Sequence, residues 1–127
     1  MSSKGEEKIA SILRQEKINF VQEYKLKDFR NGEYRLDFWL PDQQIAIEFQ
    51  GSQHYEFTSY FFKGRSDYLK AKERDRRKIS YCLAHDIKIY CIPYWEMDTI
   101  SYFEDLTRPQ YLAKSMFHND EAWRLQK

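Results

Sequence analysis

Asp37 and Glu48 lie in two short alternating runs, Tyr34 to Leu40 and Ile45 to Gln50, joined by Pro41-Asp42-Gln43-Gln44. Leu36, Phe38 and Leu40 alternate with Arg35, Asp37 and Trp39, and Ile45, Ile47 and Phe49 alternate with Ala46, Glu48 and Gln50. This is the period-2 signature of half-buried strands. With the four intervening residues as the loop, Leu40 pairs with Ile45 and Asp37 falls opposite Glu48. Like charges facing each other across a ladder are destabilising, so the placement asks for a cation between them, and a divalent metal is the natural candidate. Hard cations such as Mg²⁺ take carboxylate oxygens and complete their shell with water and substrate phosphate. The competing reading is two exposed sheet residues, with Asp37 paired to Arg35.

Three more residues have the chemistry for such a site. His54 follows the Gly51 turn at the end of the second run, and histidine is the side chain that serves as base, acid or ligand near neutral pH; as plain structure it caps or decorates a strand end. Asp75 sits on an apolar stripe with Tyr68, Ala71, Ile79 and Cys82. An inward carboxylate is costly without a partner, which an arginine, His54, a metal shell, or the helical neighbours Lys72 and Lys78 could supply. Glu6 lies on the apolar stripe of the first helical segment, yet Ser3-Lys4-Gly5-Glu6 also fits a capping box. His85 and His118 lack comparable surroundings and are read as structural.

The segment Lys63 to Lys78 holds eight basic residues against Asp67, Glu73 and Asp75, a local excess of five in a chain of net charge +1. A solvated helix face is the ordinary meaning of such a run. Beside a candidate metal site, Lys63, Arg65, Lys70, Arg74 and Arg77 read instead as phosphate contacts. The aromatic stretch of Tyr55, Phe57, Tyr60, Phe61 and Phe62 either fills the core under a loop or stacks on unpaired bases.

The elements that must position these groups follow from the same periodicities. Ser3 to about Glu16 reads as an amphipathic helix with Ile9, Ala10 and Leu13 inward. Ile18, Phe20, Gln22, Tyr24 and Leu26 alternate as a strand, and Arg30-Asn31-Gly32 marks the turn into the Tyr34 run. Ser66 can cap a helix extending to Ala84, after which Ile87 to Ile92 reads as a strand stopped by Pro93. Asp98 is expected to cap a short helix through Leu106, and Tyr111 to about Leu125 to form another. The order α-β-β-β-α-β-α describes an α/β domain with a mixed sheet flanked by helices.

At 127 residues, with 42% apolar and 32% charged residues, the chain suits one domain, 1–127, with its core at about 3–95 and a helical extension at 98–127. A net charge near zero makes no case for nucleic acid by itself. The cysteines Cys82 and Cys91 lack CxxC spacing, and no secretory segment or apolar run of membrane-spanning length is present. A reduced, cytoplasmic setting without membrane association is the expectation. Walker, zinc-spaced Cys/His, dinucleotide and nucleophile-elbow motifs are absent.

Taken in order, Leu36-Asp37-Phe38, the strand ending Ile47-Glu48-Phe49-Gln50-Gly51, the following Gln53-His54-Tyr55, and Asp75 with Lys78 on the next helix resemble the PD-(D/E)XK, or restriction-endonuclease-like, nuclease superfamily. Within it they are most similar to the very-short-patch-repair-like branch and to phage homing endonucleases described by an EDxHD motif. The similarity covers about Ser3 to Trp95, including Ser3-Lys4-Gly5-Glu6 and Ile92-Pro93-Tyr94. The resemblance implies a Mg²⁺-dependent DNA endonuclease, with Mn²⁺ able to substitute, acting as a monomer or homodimer inside a cell, which for a virus-encoded member is the host cell. It implies Asp37 and Glu48 as metal ligands and Glu6, Gln50, His54, Asp75 and Lys78 as the remaining catalytic set. The departure is Gln50, where the superfamily usually has a lysine that orients the attacking water. An amide can orient water but adds no charge, which leaves room for two other readings: a nuclease-like module that binds nucleic acid or protein without cutting, and a structure-specific nuclease acting on junctions or RNA.

Overall fold

The computed structural model describes residues 3–26, 34–55, 57–58 and 62–126, the side chains of 124–126 excepted. The Arg30-Asn31-Gly32 turn and the aromatics Tyr60 and Phe61 lie outside the described residues. Helix α1 spans Lys4–Gln15, followed by strands β1 (Val21–Lys25), β2 (Arg35–Leu40) and β3 (Ile45–Gln50). A 3₁₀ turn at Ser52–His54 leads toward α2 (Arg65–Ala84), then β4 (Lys88–Pro93). The remainder is a 3₁₀ segment Tyr94–Thr99, a one-turn helix α3 (Phe103–Leu106), a 3₁₀ turn Pro109–Tyr111 and helix α4 (His118–Gln126). Among the described residues no helix is long and apolar enough to cross a membrane.

The four strands form one mixed sheet in the order β1-β2-β3-β4, with β3 and β4 parallel and the other pairs antiparallel. Parallel neighbours need a crossover, and α2 provides it. The hairpin register is Leu40↔Ile45, Trp39↔Ala46 and Phe38↔Ile47, as the four-residue loop demands; Gln44 closes that loop by donating its backbone amide to the Leu40 carbonyl at 2.8 Å. On one face of the sheet Phe38, Leu40, Ile45, Ile47 and Ile92 pack against Ile9, Ile12 and Leu13 of α1 and against Ile100, Leu106 and Tyr111. On the other, Leu36, Ala46, Ile89 and Cys91 pack against Ile79 and Cys82 of α2.

One consequence of this packing corrects a sequence expectation. Leu36 and Phe38, two residues apart in one strand, bury against opposite faces, so the alternation flips at Asp37 instead of running through it. The C-terminal region also departs from its reading. Asp98 lies inside the Tyr94–Thr99 turn and caps nothing; Asp105 instead accepts the amides of Ser101 and Tyr102 at 2.8 and 2.9 Å to start α3. The expected Tyr111 to Leu125 helix is confined to His118–Gln126, because residues 111–113 are drawn into an antiparallel bridge, Tyr90↔Leu112, along the edge of β4. The first strand is likewise shorter than its alternation, with Ile18 and Phe20 preceding it and packing on the α1 side.

Helix α1 starts where Ser3 Oγ accepts the Glu6 amide at 3.2 Å, and it approaches the sheet through Gly5. A Cβ at Gly5 would lie 2.4 Å from the Phe49 ring, closer than packed atoms tolerate. Alanine ordinarily gains about 1 kcal/mol over glycine in a helix, but overpacking costs about 1–3 kcal/mol. Gly5→Ala is therefore expected to lower the melting temperature, and Phe49→Leu in the same chain to return part of the loss; a double-mutant cycle by thermal denaturation measures the coupling.

Candidate active site at the splayed strand ends

Beyond Phe38↔Ile47 the β2–β3 ladder is completed by side chains. Asp37 Oδ2 accepts the backbone amide of Phe49 at 2.9 Å, and Glu48 Oε2 accepts the backbone amide of Asp37 at 2.5 Å. Each carboxylate thus takes the place of a carbonyl in the neighbouring strand's pairing, which fits the change of face at Asp37. Charge-assisted bonds of this kind are stronger than neutral ones. Glu48 is 2% exposed, and its other oxygen is 2.5 Å from Lys78 Nζ, reached across from α2. Both Glu48 oxygens are therefore engaged.

Burial first, then the Glu48 charge and the more distant Glu6, hold the Asp37 carboxyl well above the usual carboxylate range, against the pull of Lys78 and the Phe49 amide. For Lys78, burial alone would depress the ammonium, but Glu48, Asp37, the hydrogen bond to Glu48 and Asp75 outweigh it and raise it. The pair is one cation serving several acids in a poorly solvated spot.

Glu6, Glu23 and Asp37 converge on the α1 side of this arrangement: each offers an oxygen within 4.8 Å of the others. Glu6 is raised by burial, by Glu23 and, less, by Glu48, while Ser3 lowers it; the capping and inward roles foreseen for Glu6 coexist. Glu23 was not singled out from the sequence. It stands at the gap in the β1–β2 register between Gln22↔Phe38 and Tyr24↔Leu36, across from Asp37, with a φ of 57°. Positive φ is strained for a non-glycine residue inside a strand. The signal available was its place on the polar side of the Phe20, Gln22, Tyr24 alternation, but only pairing with β2 brings it to Asp37. An all-oxygen donor set of this kind suits Mg²⁺, Mn²⁺ or Ca²⁺ and not thiolate-preferring metals.

At the end of the 3₁₀ turn that follows β3, His54 Nδ1 is 2.5 Å from Asp75 Oδ2, both half-buried. Of the partners open to Asp75, the structure selects His54. The pairing fixes which imidazole nitrogen faces the carboxylate and leaves Nε2 for other chemistry. Lys72 braces the same place by donating to the His54 carbonyl at 3.1 Å. Gln50 is 2% exposed, and among the described residues its Oε1 has no hydrogen-bond partner.

The basic run of α2 divides by direction. Lys63, Arg65, Lys70, Arg74 and Arg77 are exposed, whereas Lys72, Arg76 and Lys78 turn inward to acids, Lys72 and Arg76 both reaching Asp120 of α4 at 2.5 and 2.8 Å. Of the aromatic stretch, Tyr55 is core, its ring centroid 4.9 Å from that of Trp95 and 5.8 Å from that of Trp123, while Phe57 and Phe62 pack edge-on against Tyr68. His85 Nδ1 donates to the Tyr81 carbonyl at 2.8 Å as a helix-end residue.

The chain is similar to two viral proteins. It is 43% identical over 68 residues to uncharacterized protein 094L of Frog virus 3 (isolate Goorha), covering 53% of this chain and 44% of that protein. It is 27% identical over 82 residues to uncharacterized protein 307L of Invertebrate iridescent virus 6, covering 63% of this chain and 42% of that protein. The matches thus span less than half the length of either relative. No family model and no solved structure matches the chain.

Two outcomes follow from the electrostatics. Because the folded Asp37 carboxyl titrates above its ordinary 3.8, the native state binds more protons than the unfolded chain between those values, so its stability falls as pH rises through that window. Asp37→Asn, which keeps an oxygen for the Phe49 amide, is expected in metal-free buffer to raise stability by about 1 kcal/mol, a few degrees in melting temperature at pH 7, with the gain shrinking toward pH 4. Lys78→Met strands Glu48 as an uncompensated buried charge and is expected to cost about 3–5 kcal/mol in urea denaturation, much of it recovered by adding Glu48→Gln.

Proposed function

We propose that this protein is a restriction-endonuclease-like, divalent-metal-dependent nuclease that hydrolyses a phosphodiester bond in DNA. The observation that carries the reading is the convergence of Asp37, Glu6 and Glu23 beside the Lys78–Glu48 pair, with an imidazole already oriented by a carboxylate at His54–Asp75. Asp37, with Glu6 and Glu23, would hold the ion, and Glu48 would set the Asp37 backbone. Bound there, Mg²⁺ or Mn²⁺ supplies Lewis-acid polarisation of a phosphoryl oxygen and acidifies water.

The chain's own groups divide the remaining work. His54, its Nδ1 committed to Asp75, takes the proton of the attacking water on the opposite nitrogen as the new P–O bond forms and the bond to the leaving sugar oxygen breaks. Lys78 supplies the positive charge that Gln50 lacks, delivered from α2 instead of from β3. Lys63, Arg65, Lys70, Arg74 and Arg77 hold the backbone phosphates, which predicts a steep loss of affinity with salt. The viral relatives support a role inside an infected cell, and one such site cuts one strand, so a double-strand break takes a dimer or two events.

Supercoiled plasmid is expected to be nicked or linearised in Mg²⁺ or Mn²⁺ and left intact in chelator, with Asp37→Ala and His54→Ala each slowing the reaction at least about 100-fold. Full Mg²⁺-dependent cleavage by Asp37→Ala would overturn the proposal. A second reading, a binding module of the same fold, is favoured by one observation, the buried Gln50 in place of a lysine; it predicts DNA binding with no Mn²⁺ heat in calorimetry. Running duplex, nicked, branched and single-stranded DNA and RNA in parallel identifies a structure-specific nuclease.

A further inference from the structure

The acidic trio of Glu6, Glu23 and Asp37 converges on the α1 side of the sheet, whereas the exposed cations of α2 belong to the other side. On the α1 side a groove of about 490 Å³ runs between α1 and β1, with Glu7, Ala10 and Arg14 along the helix and Gln22 along the strand. Glu6, Ala10 and Arg14 are spaced at i, i+4 and i+8, a single row on one flank of α1. Across from that row, Gln22 pairs with Phe38, which buries on the α1 face, while Tyr24 pairs with Leu36 of the α2 face. The positive φ of Glu23 between them is where the strand changes face, and it brings Gln22 into the groove and Glu23 to the acids. Glu7 and Gln22 are thus the chain neighbours of Glu6 and Glu23, so the groove starts beside the trio and ends at Arg14.

Arg14 is placed for an anion. Its guanidinium lies 5.7 Å over the Phe20 ring, is exposed, and among the described residues pairs with no carboxylate. A guanidinium stacked on an aromatic face keeps its fork of N–H donors for an outside partner, and that fork matches phosphate oxygens two at a time. A basic residue in the last turn also complements the helix dipole, but that role needs neither the groove nor the row leading back to Glu6. Among the described lining residues Arg14 is the single cation. The acidic end receives a phosphate only through an ion held there, so a ligand with negative charges at intervals meets the ion at one end and the guanidinium at the other. The eight residues from Glu6 to Arg14 cover about 12 Å. With a rise of about 3.4 Å per nucleotide and the winding of the backbone, that distance is about two phosphates along one DNA strand.

We propose that the groove between α1 and β1 seats the DNA strand that is cut, with Arg14 gripping the phosphate about two nucleotides from the scissile one. The inference rests on the nuclease reading of the acidic site and adds a substrate path to it. Arg14 is a binding residue: it fixes how far the strand slides along α1, so that one phosphate is presented to the ion. The exposed cations of α2, on the opposite face of the sheet, meet a different stretch of backbone.

The contact is read by cleaving an end-labelled duplex in which one strand carries a single uncharged methylphosphonate linkage, because each product length reports which bond was cut. The wild-type chain is expected to cut the bond about two phosphates from that linkage, on one side only, roughly tenfold more slowly than in the unmodified duplex. Arg14→Gln is expected to be about tenfold slower at every bond and to lose the local dip, whereas Arg74→Gln keeps the dip. Binding gives a second reading by fluorescence anisotropy with the full-length Asp37→Asn chain, which is expected not to cut. Adding Arg14→Gln to it lowers the slope of log affinity against log salt by about 0.9, one phosphate contact, and Arg14→Lys in its place restores the slope. Arg14 is exposed, so these substitutions leave the fold intact. The absence of a dip in the wild-type chain, a dip that persists in Arg14→Gln, or an unchanged salt slope overturns the groove assignment and leaves the nuclease reading standing. A wild-type chain that leaves DNA uncut in Mg²⁺ and Mn²⁺ overturns both readings together.

Discussion

The exchange of carboxylate for carbonyl between β2 and β3 is the constraint on which the rest of the site is arranged. Two acidic side chains on adjacent strands would ordinarily push the strands apart, but here each is tied to the other strand's amide, Asp37 to Phe49 and Glu48 to Asp37. The repulsion is borne by the fold because the amides are satisfied and because Lys78 enters from α2 to meet Glu48. A buried pair of this kind is poor evidence for net stability, since desolvation offsets most of the attraction. Its value is positional: removal of any member leaves an amide or a charge exposed to an apolar surround.

From that tie, the direction of each neighbour follows. The change of face at Asp37 lets its carboxylate see Glu6 on the α1 side and Lys78 on the α2 side, which a regular strand would not allow. The same irregularity is matched on β1, where Glu23 adopts a positive φ opposite Asp37. Strain on one strand and a reversed face on the next are two halves of one distortion, and it coincides with the acidic convergence. Such local cost is characteristic of functional sites. Nearby, the imidazole of His54 is held from the side by Asp75 and from its own carbonyl by Lys72.

Much of this was legible in the chain because it depends on local pattern. The hairpin register followed from four loop residues between two alternating runs, and the inward placement of Asp75 from its position among Tyr68, Ala71, Ile79 and Cys82. The partner of Asp75 was not legible, since arginine, lysine, histidine and metal all satisfy an inward carboxylate and only three-dimensional proximity selects His54. Glu23 was missed for a related reason: its strand is short, and alternation says which side a residue faces without saying what stands across from it. The flip at Asp37 was invisible because Leu36, Phe38 and Leu40 keep perfect alternation in sequence, while both faces of the sheet are apolar enough to bury either residue. The C-terminal helix was overextended because an edge bridge at Leu112 competes with helix and leaves no periodic mark.

Helix α4 has a part in this arrangement that its distance in sequence conceals. Asp120 draws in Lys72 and Arg76 together, and those contacts with the lysine and arginine outweigh the burial that would otherwise raise its carboxyl, so the group is lowered. Lys72 is in turn the residue that grips the backbone of His54. Helix α4 is therefore a remote splint for the imidazole: its Asp120 fixes the ammonium of Lys72, and through Lys72 it steadies the backbone from which the proton acceptor is aimed.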